Sequence, residues 1–310
     1  MSTDVLIPNK MLASAEAALA ENFTVHRLYE AQDRTAQLSE IDDKIGVIAS
    51  SGGADRALIE ALPNLKLVAH FGVGYDPVDV TCCKERNIRV TNTPDVLNDA
   101  VAEMTLGLML ALERRIPHAD QHVRAGKWEN GGYPLTGELT GKTCGIMGLG
   151  RIGKEVARRL QAMKMQVVYT GRTEQKHEPY PYFSSLTEMA AASDWLVVIV
   201  PGTPETKHAV NMEVLKALGP QGALLNIGRG SVVDESALIS CLSDGSLGGA
   251  ALDVFEDEPR VPNALKTMEN VVLQPHQGSA THKTRWAMGD LVVRNIKAHF
   301  AGEPLISPVA

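Results

Sequence analysis

Gly148-Leu149-Gly150-Arg151-Ile152-Gly153 has the spacing G-x-G-x-x-G, and its surroundings decide the fold. The preceding run, Thr143-Cys144-Gly145-Ile146-Met147, reads as a short buried strand. After the turn, Ile152, Val156, Ala157 and Leu160 recur at helical spacing. Strand, glycine turn and helix in that order are what dinucleotide binding requires. Gly148 permits a tight turn, Gly150 lets the backbone approach a pyrophosphate, and Gly153 lets helix and strand pack closely. The helix start contributes unpaired N–H groups and a positive dipole end. A chain with 27 glycines can produce such a hexapeptide by chance, so the flanking elements carry the reading.

The next strand, Gln166-Val167-Val168-Tyr169, leads into Thr170-Gly171-Arg172-Thr173. NAD-binding turns place an Asp or Glu here, ~20 residues after the glycines, to accept from the ribose 2′-hydroxyl. Gly171 removes that carboxylate, and Arg172 offers paired, charge-assisted hydrogen bonds to a 2′-phosphate. Lys176 adds a second positive charge. The residues favour NADP(H) over NAD(H); a merely basic, solvated turn is the competing reading.

Working outward, short apolar runs alternate with helical patterns along the whole chain. Strands are expected at Val5–Ile7, Val25–Leu28, Gly46–Ala49 and Leu67–His70, with helices at Met11–Glu21, Asp55–Leu62 and Val78–Arg86. The rhythm resumes with strands at Thr143–Met147, Gln166–Tyr169, Trp195–Val200, Ala223–Ile227, Gly249–Leu252 and Val271–Gln274. Such alternation predicts parallel α/β sheets, and 310 residues suffice for two domains. Between the halves, Asn98–Arg115 reads as a long apolar helix, buried or at a subunit interface. Pro117–Thr140, which contains Trp128, reads as a long irregular loop. A last helix at about Thr281–Phe300 can return to the first domain, which makes that domain discontinuous. The boundaries follow as 1–92 plus 280–310 for a substrate domain and 93–279 for the dinucleotide domain.

Composition narrows the class. A net charge of −7 disfavours nucleic-acid partners, and no apolar run or polar-start exception suggests a membrane span or leader. Cys82, Cys83, Cys144 and Cys241 show no metal spacing and read as reduced thiols of a cytoplasmic protein without a metal site.

Candidate chemistry gathers at strand ends, where open parallel sheets bind ligands. Asn226-Ile227-Gly228-Arg229-Gly230 can present a guanidinium to a carboxylate, or simply be a surface turn. Asp253-Val254-Phe255-Glu256-Asp257-Glu258-Pro259 is acidic and for the most part a solvated loop. Gln274-Pro275-His276-Gln277-Gly278-Ser279 carries a histidine suited to proton exchange near neutral pH. Phe71-Gly72-Val73-Gly74-Tyr75-Asp76 leaves backbone N–H groups open to an anion, or is a plain turn.

Taken in order, these pieces resemble the D-isomer-specific 2-hydroxyacid dehydrogenases over nearly the whole chain. Val73–Asp76, Thr91–Pro94 with Val101-Ala102-Glu103, Gly148–Gly153, Asn226–Gly230, Leu252–Phe255 with Glu258-Pro259, and Pro275-His276 carry the resemblance. Within the family the chain is most similar to glyoxylate/hydroxypyruvate reductases, through Tyr169–Arg172 and Pro275–Arg285. The resemblance implies two doubly wound parallel-sheet α/β domains, Rossmann-like and flavodoxin-like, with an active-site cleft between them. It implies NADPH-dependent reduction of a small 2-oxoacid, with Arg229 on the substrate carboxylate and carbonyl, His276 as acid, and Glu258 paired with His276 to keep it protonated. Val73, Gly74 and Ser279 would meet the substrate. Gly148, Gly150, Arg151, Ile152 and Gly153 would meet the pyrophosphate, Arg172 and Thr173 the 2′-phosphate, and Pro201, Ile227, Asp253 and Gly278 the nicotinamide and its ribose. A homodimer built on the segment Asn98–Thr140 is implied as well. The alternatives are a reductase of bulkier acids such as phenylpyruvate or 2-ketogluconate, and an NADPH-sensing protein like the corepressors of this fold.

Overall fold

The structure is a computed structural model and describes residues 3–309. In chain order its elements are β1 (Asp4–Ile7), α1 (Ala13–Ala20), β2 (Thr24–Arg27), α2 (Arg34–Ile41), β3 (Ile45–Ser50), α3 (Arg56–Glu60), β4 (Leu67–His70), α4 (Val80–Glu85) and β5 (Arg89–Thr91). There follow α5 (Asn98–Glu113), α6 (Ile116–Arg124), β6 (Thr143–Met147), α7 (Arg151–Ala162), β7 (Gln166–Thr170), α8 (Leu186–Ala191), β8 (Trp195–Val198) and α9 (Met212–Leu218). The chain ends with β9 (Ala223–Asn226), α10 (Glu235–Asp244), β10 (Gly249–Leu252), α11 (Asn263–Thr267), β11 (Val271–Leu273) and α12 (His282–Ala301). Two compact units result: the chain up to Leu97 with Ala280 onward, and Asn98–Ser279.

In the first unit the strands run parallel in the order β2-β1-β3-β4-β5, the flavodoxin-like winding. Leu6, Ile45, Ile48, Val68 and Val90 fill one core, with Ile59, Leu62 and Cys83 packed on it. α12 joins this unit by burying Leu291, Val292, Val293 and Ile296. A Cβ at Gly289 would lie only 3.0 Å from the Ala15 Cβ, which places α12 tight against α1. Fully buried Asn295 on α12 accepts from the N–H groups of Ile306 and Ser307 and donates to the Ser307 hydroxyl. Every polar atom of that amide is used, which removes the cost of burying it. The tail then pairs with β5, Val309 N–H donating to Val90 O at 2.8 Å.

In the second unit the parallel order is β11-β10-β9-β8-β6-β7. β8, β9 and β10 are buried at every position, as strands covered on both faces must be, so they read as continuous apolar runs. β6 lies between β7 and β8, so the winding reverses there and the turn after β6 opens onto the switch point. Together the two sheets are the two doubly wound α/β domains the sequence pattern predicts.

Three elements depart from expectation. β5 has only three residues, too few for a periodic signal. α2, RTAQLSEI, turns only Leu38 and Ile41 to the core, too narrow a stripe to stand out, although Asp33 caps it by accepting from Thr35 and Ala36 N–H. The expected loop after Pro117 begins instead with α6. Pro117 stands in the first turn of that helix, where its missing N–H costs nothing, and the helix break falls at Arg115 with φ +50°. Among the described residues no helix is long and apolar enough to cross a membrane.

Candidate active site

The glycine turn sits at the C-terminal end of β6 with each glycine under a different demand. Gly148 has φ +105°, and a Cβ there would fall 2.5 Å from Ile199 O, at the end of the neighbouring β8. At Gly153 a Cβ would lie 2.3 Å from Gly148 O, so α7 packs on the turn itself. At Gly150 a Cβ would meet nothing within 4 Å, and no side chain caps α7 there. Open space in front of uncapped helix N–H groups fits a pyrophosphate. Arg151 is exposed and Ile152 half-buried on that first turn.

At the end of β7, Gly171 also faces open space, and Arg172 and Thr173 are exposed. This loop is fastened from below. Gln175 donates its side-chain amide to Leu149 O at 2.7 Å, inside the glycine turn, and its backbone N–H to the buried Tyr169 hydroxyl at 2.6 Å. Lys154 of α7 pairs with Glu178 at 2.7 Å. The donors expected at the pyrophosphate and at the 2′-phosphate therefore belong to one braced surface, and the site fits a phosphorylated dinucleotide.

At the end of β9 an Asx turn presents Arg229. Buried Asn226 accepts from Gly228 N–H at 3.1 Å and donates to Arg229 O at 2.9 Å. A Cβ on Gly230 would strike the Phe255 carbonyl at 1.9 Å, so this turn presses on the backbone of the acidic loop after β10. Arg229 is partly buried, and its positive charge acts on Glu258.

Asp253, 1% exposed, directly follows β10 and organises the loop after β11. Its carboxylate accepts from Gln277 N–H at 2.6 Å and Gly278 N–H at 2.8 Å, while its backbone carbonyl accepts from His276 N–H at 2.9 Å. Burial pushes its carboxyl above the ordinary range, against the pull of those two N–H groups. His276 is held with φ +54°, a left-handed backbone that an unsupported residue seldom keeps. Its Nδ1 donates to Glu258 Oε2 at 2.8 Å, which leaves Nε2 as the outward ring nitrogen. Phe255 N–H donates to the other Glu258 oxygen at 3.1 Å. Burial alone would raise the Glu258 carboxyl; the hydrogen bond and charge of His276, the Phe255 N–H and the charge of Arg229 outweigh it and hold it below its usual value.

Of the remaining second-unit residues, Ile227 and Gly278 are buried behind these loops, Ser279 is half-buried, and Pro201 is exposed after β8. In the first unit Val73 and Gly74 are half-buried in the turn that follows β4.

A family model described as D-isomer specific 2-hydroxyacid dehydrogenase, NAD binding domain, matches residues 106–278. The chain belongs to this family. It is 47% identical over 310 residues to glyoxylate/hydroxypyruvate reductase A of Arabidopsis thaliana, covering 99% of each protein. It is 54% identical over 260 residues to the hydroxyphenylpyruvate reductase of Plectranthus scutellarioides, covering 84% of this chain and 83% of that one. Among solved structures, the NADPH-dependent glyoxylate/hydroxypyruvate reductase of Sinorhizobium meliloti, in complex with NADP and malonate, matches with a TM-score of 0.94 at 44% identity. That match covers 100% of this chain and 97% of the other.

Sequence reading of this 2-hydroxyacid dehydrogenase missed the fastenings. Asn226-Ile227-Gly228 is a recognisable Asx-turn pattern. Gln175 and the double duty of Asp253 have no local signature, because their partners are distant in sequence.

The Glu258 carboxyl has a depressed value in the folded protein, so its pairing contributes stability above the ordinary carboxylate range and loses it as pH falls through the depressed value. Thermal melts should therefore show Glu258→Gln less stable than the unaltered protein at about pH 7, with the gap closing as pH falls from about 5 towards 3. A gap that widens on acidification contradicts the pairing.

Proposed function

We propose that this dehydrogenase reduces small 2-oxoacids, glyoxylate to glycolate and hydroxypyruvate to D-glycerate, with NADPH preferred over NADH. The observation that carries the reading is the His276–Glu258 pair at 2.8 Å, fixed at strand ends of the same sheet that bears the glycine turn. When bound, NADPH supplies the hydride that the substrate carbonyl carbon receives. The carbonyl electron pair moves to oxygen, and His276 delivers a proton to it from Nε2. The ring then keeps its Nδ1 proton on Glu258, so the pair also serves the reverse reaction. Arg229 holds the substrate carboxylate and polarises the carbonyl oxygen. The backbone N–H groups of Val73 and Gly74 take the carboxylate, and Ser279 approaches the substrate. Gly148, Gly150, Arg151, Ile152 and Gly153 receive the pyrophosphate. Pro201, Ile227, Asp253 and Gly278 line the nicotinamide ribose, Asp253 chiefly by holding the Gly278 loop.

Arg172, with Thr173, takes the 2′-phosphate. The support is the absence of a carboxylate at Gly171 and the open space in front of it. The division into a substrate domain, 1–92 with 280–310, and a cofactor domain, 93–279, belongs to the same reading. So does a homodimer. Ile116, Val123, Trp128 and Leu135 expose apolar surface on α6 and the segment after it, and a second copy would cover it. Four buried free thiols suit the cytoplasm. The 54% identity to a hydroxyphenylpyruvate reductase favours an aromatic 2-oxoacid as a second substrate.

In steady-state kinetics, Arg172→Ala should raise the NADPH KM by about 10- to 100-fold, the worth of a charge-assisted bond, and barely change the NADH KM. Equal effects on both cofactors would refute the 2′-phosphate role. His276→Ala should lower kcat by about 10²–10⁴ with cofactor affinity retained; near-normal turnover sinks its assignment as the acid.

A further inference from the structure

We propose that His70 is a positioning residue for the carboxylate-binding turn, acting together with Asn92. The inference rests on the reading of Val73 and Gly74 as carboxylate donors and explains how their N–H groups come to be available.

Three consecutive carbonyls of this turn are engaged from the protein side. Gly72 O accepts from Thr93 N–H at 2.9 Å. Val73 O accepts from the Asn92 side-chain amide at 2.9 Å. Gly74 O lies 3.0 Å from His70 Nε2 and, being a carbonyl, can only accept, so Nε2 carries the ring hydrogen. In a planar trans peptide the C=O of one residue and the N–H of the next point in opposite directions. Holding the carbonyls of Gly72, Val73 and Gly74 therefore turns the N–H groups of Val73, Gly74 and Tyr75 the other way. Among the described residues none of those three N–H groups donates to a backbone carbonyl. Successive backbone donors facing one side form an anion-binding concavity.

Both side chains are placed to do this rigidly. His70 is the last residue of β4 and only 3% exposed. A Cβ on Gly72 would lie 2.8 Å from His70 Nε2, so ring and turn are in contact and a larger residue at 72 has no room. Asn92 is fixed in turn by the tail: its carbonyl accepts from the Ser307 hydroxyl at 2.7 Å, and Ser307 is held by buried Asn295. The imidazole faces a backbone carbonyl rather than a reacting atom, so its effect on substrate runs through the turn.

The test uses oxamate, a carboxylate-bearing 2-oxoacid mimic that is not reduced, titrated onto the NADPH-loaded enzyme. His70→Leu should raise the oxamate Kd and the glyoxylate KM by roughly tenfold, the worth of one positioning hydrogen bond. The NADPH Kd should stay within about twofold, because the His70 hydrogen bond acts on the turn after β4 and not on the glycine turn. His70→Gln, whose amide can still donate to Gly74 O, should recover most of the oxamate affinity. Asn92→Ala removes the neighbouring donor and should give the same split independently. In the unaltered protein, ¹⁵N NMR of the His70 ring should show the Nε2–H tautomer, a readout that needs no variant to fold. A His70→Leu enzyme with unaltered oxamate affinity, a His70→Gln enzyme no better than His70→Leu, or an Nδ1–H tautomer overturns the proposal. Failure of the unaltered enzyme to bind oxamate overturns the carboxylate reading of the turn itself, and this proposal with it.

Discussion

The buried carboxylate of Asp253 is the fastening on which the proposed acid–base pair depends. It directly follows β10, and the hydrogen bonds it receives from Gln277 and Gly278 pull the loop after β11 into place. Its backbone carbonyl takes the His276 N–H. Only with that loop held can His276 keep a left-handed backbone and direct Nδ1 at Glu258. Burial pushes the Asp253 carboxyl up against the pull of its two hydrogen bonds. Neighbouring loops share the logic. Asn226 shapes the Arg229 turn, and Gly230 lets that turn press on the loop that carries Glu258.

A second theme is orientation of backbone N–H groups by what lies behind them. At the start of α7 the helix itself aligns the donors, and Gly150 keeps the space before them open. At the turn after β4 no helix does the work, and side chains must pin the carbonyls instead. Both devices leave backbone N–H groups facing open space, the kind of donor array that suits anionic ligands in a chain of net charge −7.

Much of this was legible in the sequence. Largely buried parallel strands announce themselves as apolar runs, so all six strands of the second sheet could be located from Thr143 onward. The glycine spacing identified the turn because its residue demands are local. What escaped was what local pattern does not encode. β5 is too short, α2 has only a narrow apolar face, and Pro117 signals a helix start as readily as a stop. At the site, His276 stood out by type and position, and Glu258 was set apart from its acidic loop by the family resemblance. Their supports did not: Asp253 looked like one acid of a cluster, Gln175 and Asn92 act on partners that only the fold brings near, and His70 acts on the carbonyl of Gly74 through a turn that no side-chain pattern marks. Residue chemistry is read from sequence more easily than the hydrogen bonds that aim it.

The central claim is that this chain transfers hydride from NADPH to one face of the carbonyl carbon of a small 2-oxoacid and protonates the oxygen. Following NADPH absorbance during reaction with hydroxypyruvate, with chiral analysis of the glycerate formed, tests it most directly. The account predicts stoichiometric NADPH oxidation and D-glycerate as the product. Tight NADPH binding with no oxidation by hydroxypyruvate, glyoxylate or an aromatic 2-oxoacid would contradict it and point to a nucleotide-sensing protein instead.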